Sequence, residues 1–208
     1  MYKLYWAKGT GAMAAQALFE EIGADYEKIA IDLSKKENRS PEYLAVNPTG
    51  QVPALVLPDG TVMTESAAML LHITDRHPGA KLAPPAGSPE SARFQRWLLF
   101  MATTIYNADL RLFYADRFTT DPDGVDGVMA AARADMDRCF AILNDALEPG
   151  PYLLDETFSA VDIYLWMLTQ WHPDLKRLQA DNPRIKRLAG LVEARPAIAR
   201  VWAENKDA

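Results

Sequence analysis

Within its first 33 residues the chain changes period twice, and that change constrains the fold more than any other feature. Tyr2-Lys3-Leu4-Tyr5-Trp6 is a short aromatic-rich run that reads as a strand, broken by Gly9-Thr10-Gly11. Ala12 to Ile22 reads as a helix closed by Gly23 at its C-terminal cap. Glu27 to Leu33 alternates polar and apolar residues and reads as a second strand. Strand, helix and strand in so few residues make a βαβ unit, whose strands are parallel with a right-handed crossover.

The pattern continues in the same texture to residue 76. Ser40-Pro41 starts a short helix ending near Val46, with proline at the first helical position. Val52 to Leu57 reads as a strand, Pro58-Asp59-Gly60 as a hairpin turn and Thr61-Val62-Met63 as its partner. Glu65 to Arg76 carries apolar residues at 67, 70, 71 and 73, a helical stripe. The predicted order is β-α-β-α-β-β-α over residues 1–78.

Helix breakers then gather in His77-Pro78-Gly79 and in Pro84 to Pro89, so residues 79–88 read as a linker. From residue 89 to 208 the expectation is an all-helical domain. Phe94, Trp97, Leu98, Met101, Ile105 and Leu112 keep helical spacing, and further helices are expected over 125–147, 159–171, after Asn182-Pro183 and after Arg195-Pro196. Phe158-Ser159-Ala160-Val161-Asp162-Ile163 reads as a capping box, with Ser159 at the N-cap and Asp162 three residues on, flanked by a Phe158–Ile163 staple. That motif serves folding.

Bulk properties narrow the function. The chain has 208 residues and a formal charge of −6, and no block of like charges, which argues against nucleic-acid or anionic-membrane partners. No apolar run is long enough for a signal peptide or a bilayer span. The single cysteine, Cys139, cannot form an internal disulfide, so the expected compartment is the cytoplasm. His72, His77 and His172 lack metal-ligand spacing, and no metal is expected.

Two motifs point to a ligand. In Asn47-Pro48-Thr49-Gly50-Gln51-Val52-Pro53, the proline stands where its missing N–H must face away from a ladder. A cis bond there turns the Val52 N–H and C=O outward, where an extended peptide pairs with them. In Thr64-Glu65-Ser66, Thr64 or Ser66 caps a helix whose first N–H groups bind a carboxylate, while Glu65 receives an ammonium group. Together they describe a site for a small peptide with an amino-acid head.

In the order and spacing of these motifs and of the capping box, the chain resembles the glutathione transferase superfamily over essentially its whole length. The resemblance implies a thioredoxin-like first domain, a helical second domain and a homodimer, with glutathione as co-substrate. It implies that Val52, beside a cis Pro53, pairs with the cysteinyl unit, that Glu65 and Ser66 hold the γ-glutamyl head, and that Gln51 and Lys35 lie near the peptide. Many bacterial relatives carry cysteine at the position of Gly11, so activation of the thiol is expected from a hydroxyl. Thr10 is the first choice, though it reads equally as the cap of the following helix, and Tyr5 is the second. Tyr106 and Arg111 are expected to wall a pocket for a small hydrophobic electrophile. The expected reaction is conjugation. Isomerisation, ether cleavage or peroxide reduction on the same fold, or a non-catalytic binding role, stand as alternatives.

Overall fold

The computed structural model describes residues 1–206, and its chain divides into two compact units. The first comprises Met1–Ala83 together with the chain from Glu193 onward; the second is Pro84–Val192. No helix among the described residues is long and apolar enough to cross a membrane.

The first unit follows the expected order. Strand β1 (Tyr2–Trp6), helix α1 (Ala12–Ile22), β2 (Tyr26–Ala30), α2 (Pro41–Val46), β3 (Ala54–Val56), β4 (Val62–Met63) and α3 (Ser66–Arg76) form a thioredoxin-like sheet-and-helix domain. The sheet order is β2-β1-β3-β4, with β1 and β2 parallel and the other pairs antiparallel. Every residue of α1 from Ala12 to Phe19 is buried, because the helix packs against β1, α3 and the terminal helix at once. Its alanines at 12, 14, 15 and 17 remove side-chain bulk and allow that close approach. Gly23, at φ 70, donates its N–H to Phe19 O and closes the helix.

β2 stops at Ala30 rather than running to Leu33. The Asp32 carboxylate accepts the Ser34 N–H at 3.0 Å and the Lys35 N–H at 3.3 Å, a local turn that competes with the ladder. β3 likewise begins at Ala54, leaving Val52 and Pro53 outside the paired region.

The second unit is helical: α4 (Pro89–Thr103), α5 (Ile105–Phe113), α6 (Val125–Ala146), α7 (Ala160–Gln170), α8 (Leu175–Asp181) and α9 (Pro183–Glu193). The helical spacing of residues 94–112 spans a break at Thr104, which has φ −111 and ψ −73 and whose hydroxyl back-bonds to Phe100 O. Such back-bonding bends helices. α8 goes unforeseen in the sequence; Asp174 starts it by accepting the Arg177 N–H at 2.9 Å.

α7 is buried from Ala160 to Thr169. At its start, the Asp162 carboxylate accepts the N–H of Ser159 at 2.8 Å, the Ser159 hydroxyl at 3.1 Å and the Leu153 N–H at 2.9 Å. Phe158 stacks edge-on against Tyr152 beside it.

The chain after residue 192 departs from the expected boundary. α10 (Pro196–Asn205) packs on α1 within the first unit instead of extending the helical domain. Arg195 forms a bidentate pair with Glu21 at 2.9 and 2.6 Å, and Arg200 reaches Glu20 at 3.2 Å. Together with burial of Ile198 and Val201, these contacts fix the helix there.

Candidate functional site: a peptide groove at one end of the sheet

The register gathers four connections at one end of the sheet. β2, parallel to β1, ends with Ala30 opposite Trp6. β3, antiparallel, starts with Ala54 opposite Tyr5, and β4 ends with Met63 opposite Leu55. The β1–α1 loop carrying Thr10, the segment after β2 carrying Lys35, the Val52–Pro53 approach to β3 and the start of α3 therefore open at the same edge.

The Val52–Pro53 peptide bond is cis. The residues before it are tied down from several sides. Asn47 Oδ1 accepts from Thr49 N and Oγ1, and its Nδ2 donates to Gln51 O at 2.7 Å, an acceptor shared with the Tyr43 hydroxyl at 2.6 Å. Asn38 donates to Gly50 O at 2.7 Å and Arg39 to Thr49 O at 3.1 Å. Gly50 sits at φ +66, and a Cβ there would come within 2.5 Å of Arg39 Nη1 and 2.9 Å of Asn38 O, so only glycine fits without displacement. With the carbonyls of residues 49–51 thus spent, no hydrogen bond reaches the N–H or C=O of Val52 among the described residues. A short length of strand edge is left for an external partner.

At the start of α3, Glu65 occupies the N-cap position, in place of the expected Thr64 or Ser66, and no side chain caps the helix. Its backbone, at φ 65 and ψ 107, lies in a region that non-glycine residues rarely adopt. Such outliers cost about 1–3 kcal/mol each and cluster at ligand clamps. The Glu65 side chain is exposed and Ser66 is buried. An anion finds N–H donors and the positive end of the helix dipole here, with a carboxylate beside it for an amine.

The Thr10 hydroxyl donates to Ala7 O at 2.7 Å and accepts the Ala12 N–H at 3.3 Å. It thus serves the local turn, while Gly11 holds the N-cap position of α1. Tyr5 is half-buried and sits edge-on to Tyr43, with ring centroids 5.5 Å apart. Gln51 is exposed. Lys35 is largely in solvent and paired with Asp32 at 2.9 Å, which raises the lysine pKa; the Ser34 hydroxyl and then Lys35 hold the Asp32 carboxyl well below its usual range. A shallow cavity of about 250 Å³ adjoins this edge, lined by Trp6, Ala7, Lys8, Ile31, Asp32 and Leu33.

In the second unit, Tyr106 packs edge-on against Trp171 at 5.2 Å. Arg111 is bound to Asp135 of α6 at 3.1 Å and to its own Asn107 carbonyl. Five residues apart on α5, the two point about 140° apart at 3.6 residues per turn. They do not share one helix face. Nearby, Asp109 is buried with neither carboxylate oxygen hydrogen-bonded among the described residues, and desolvation raises its pKa to about 8. Sequence reasoning missed it. Among the described residues, no group of three or more His, Cys, Asp or Glu side chains is arranged to hold a metal ion.

A strand edge left open beside a cis proline, at the same sheet end as the start of α3, marks a thioredoxin-like domain. Residues 1–75 match the family model described as glutathione S-transferase, N-terminal domain, and residues 126–201 match its C-terminal domain. Glutathione S-transferase GstA of Escherichia coli O157:H7 is 31% identical over 170 residues, covering 81% of each chain. An uncharacterized GST-like protein of Escherichia coli K12, YncG, is 29% identical over 99% of each. A Sulfitobacter glutathione transferase homologue, solved with bound glutathione, superposes with a TM-score of 0.88 at 29% identity, covering 98% of this chain and 97% of that one. The chain belongs to the glutathione S-transferase superfamily.

Proposed function

We propose that this protein is a glutathione transferase that binds glutathione at the sheet edge, favours its thiolate and conjugates it to a small hydrophobic electrophile. The observation that carries the reading is the unpaired backbone of Val52 at the same sheet end as the start of α3. An extended γ-glutamyl-cysteinyl peptide pairs its cysteinyl unit with Val52. Its α-carboxylate lies on the first N–H groups and hydroxyl at Ser66, and its ammonium group on Glu65.

Thiolate formation needs a donor and local positive potential, since a free thiol has a pKa near 8.5. The positive end of α1 and the Thr10 hydroxyl, once turned from Ala7 O to sulfur, supply both. Tyr5, edge-on to Tyr43, is the weaker choice of donor. Lys35 and Gln51 are exposed at the same edge, where they meet the glycyl end of the peptide. On α5, Tyr106 lines the electrophile pocket, whereas Arg111 acts through its pair with Asp135. Residues 1–78 form the glutathione-binding domain, and the protein acts as a cytoplasmic homodimer in detoxification.

Retention on immobilised glutathione followed by turnover of a chromogenic aryl halide tests binding and conjugation in turn. Loss of retention is expected for Glu65→Ala with Ser66→Ala. Failure of the unaltered protein to be retained would sink the reading. Retention without turnover across a panel of electrophiles would replace conjugation with another glutathione-dependent reaction.

A further inference from the structure

The last turn of α10 reaches the loop that joins β1 to α1, and both lie in the first unit. Asn205 Oδ1 accepts the Gly9 N–H at 3.1 Å. Among the described residues this is the one hydrogen bond tying residues 7–11 to another element; the remaining bonds of the loop, through Thr10, are local. Gly9 stands at φ 66 and has wide backbone freedom when unheld.

Asn205 itself is fully specified. Its Nδ2 donates to Val201 O at 2.8 Å and to Gln16 Oε1 at 3.2 Å, so a flipped amide would oppose donor to donor and acceptor to acceptor. Gln16 Oε1 also takes the Trp6 indole N–H at 2.8 Å, and its Nε2 donates to Glu204 at 2.9 Å. Glu204 is paired in turn with Lys28, whose ammonium lies 4.7 Å from the Trp6 ring centre. Gln16 and Asn205 are 1% and 2% exposed. Bonded on both sides and this deeply buried, Gln16 and Asn205 hold one arrangement, because breaking a link between them strands a polar atom.

We propose that Asn205 is a positioning residue: by fixing Gly9 it sets where the Thr10 hydroxyl and the first N–H groups of α1 stand, and so how strongly the glutathione thiol is activated. The proposal rests on the glutathione reading above. Activation through hydrogen bonds tolerates little misplacement, since an error of about 1 Å costs up to about a hundredfold in rate. Glutathione affinity rests mainly on Val52, Glu65 and Ser66, which Asn205 does not touch.

The test compares the full-length protein with Asn205→Ala and Asn205→Asp, the latter keeping an acceptor for Gly9. For Asn205→Ala, amide exchange over residues 9–12 rises by about tenfold or more while the sheet stays protected. The midpoint of the pH profile of kcat/KM rises by about one pH unit, roughly a tenfold loss of thiolate at neutral pH, with KM for glutathione within about threefold. Asn205→Asp keeps the acceptor for Gly9 but sets its second oxygen against Gln16 Oε1 and Val201 O, so it recovers loop protection and the pH midpoint only in part and is less stable than the unaltered protein in urea. An unchanged midpoint in Asn205→Ala, or a fall in kcat matched by loss of protection throughout the unit, would overturn the proposal. Failure of the glutathione reading is seen separately, because the unaltered protein then shows no glutathione binding. Amide exchange still decides whether Asn205 holds the loop.

Discussion

Replacing Thr10 with valine removes one hydroxyl while keeping the side-chain shape, and it separates two roles that the geometry combines. In the unliganded chain the hydroxyl proton is held by Ala7 O at 2.7 Å, and Ala7 is buried. Donating to a thiolate exchanges that neutral bond, worth about 0.5–1.5 kcal/mol, for a charge-assisted one worth about 1.5–3 kcal/mol. The net preference for thiolate is then about 1–1.5 kcal/mol, or close to tenfold. Thr10→Val is therefore expected to raise the pKa of bound glutathione by about one unit and to lower turnover at neutral pH by about tenfold. Loss of the two local bonds costs about 1–3 kcal/mol of stability besides. Thr10→Ser keeps the hydroxyl and should restore thiol ionisation. Ultraviolet titration of the thiolate in the binary complex reads the first effect, and urea denaturation reads the second. If Thr10→Val destabilises the protein while the thiol titrates unchanged, Thr10 is only a turn residue, and the N–H groups of α1 supply the activation.

Asp162→Ala strands the buried N–H groups of Leu153 and Ser159, each worth about 1–3 kcal/mol, so a loss of about 3–5 kcal/mol is expected in denaturant unfolding. Ser159→Ala, which keeps that acceptor, should cost only about 0.5–2 kcal/mol in the same assay. Gly50→Ala forces a Cβ against Asn38 O at a left-handed backbone position, and should lower stability by about 1–3 kcal/mol and weaken glutathione binding in calorimetry. Asp109 has a folded pKa of about 8 against 3.8, because burial penalises its charge, so folding binds a proton between those values. Its contribution to stability is present below pH 3.8 and is lost as pH rises through about 8, a span worth roughly 6 kcal/mol at most. Asp109→Asn should flatten that part of the stability–pH profile measured by urea unfolding.

What could be read from the sequence follows from how local each signal is. The hairpin at Pro58-Asp59-Gly60 and the cap at Ser159 each announce themselves within a dozen residues, the βαβ unit within its first three contiguous segments, and the structure holds all three. The break at Thr104 was hidden because back-bonding to Phe100 leaves the apolar spacing intact on either side. α8 is only seven residues long and too short for periodicity to register. Asp109 gives no sign in the pattern: it stands four residues after Ile105 and three before Leu112, on the face they bury. Beyond reach altogether was the bond from Asn205 to Gly9, across 196 residues, since no spacing rule links a C-terminal helix to the first loop.

That unreadable contact bears on the chemistry in a way the readable motifs do not. In the proposed arrangement Val52 and Ser66 hold the peptide through backbone groups and a helix start, features that secondary structure supplies wherever it is built, and Glu65 adds a carboxylate for the ammonium group. Thiol activation here has no cysteine at position 11 and, in the proposed arrangement, no charged side chain to call on. It must come from one hydroxyl and a few N–H groups, each contributing about 1 kcal/mol and each sensitive to distance. A site of that kind gains most from a rigid loop. The chain supplies that rigidity by returning its last helix to the first unit and anchoring it to α1 through the Glu21–Arg195 and Glu20–Arg200 pairs. If the protein activates glutathione as proposed, the placement of α10 serves that chemistry, and loosening it should slow thiolate formation before it releases glutathione.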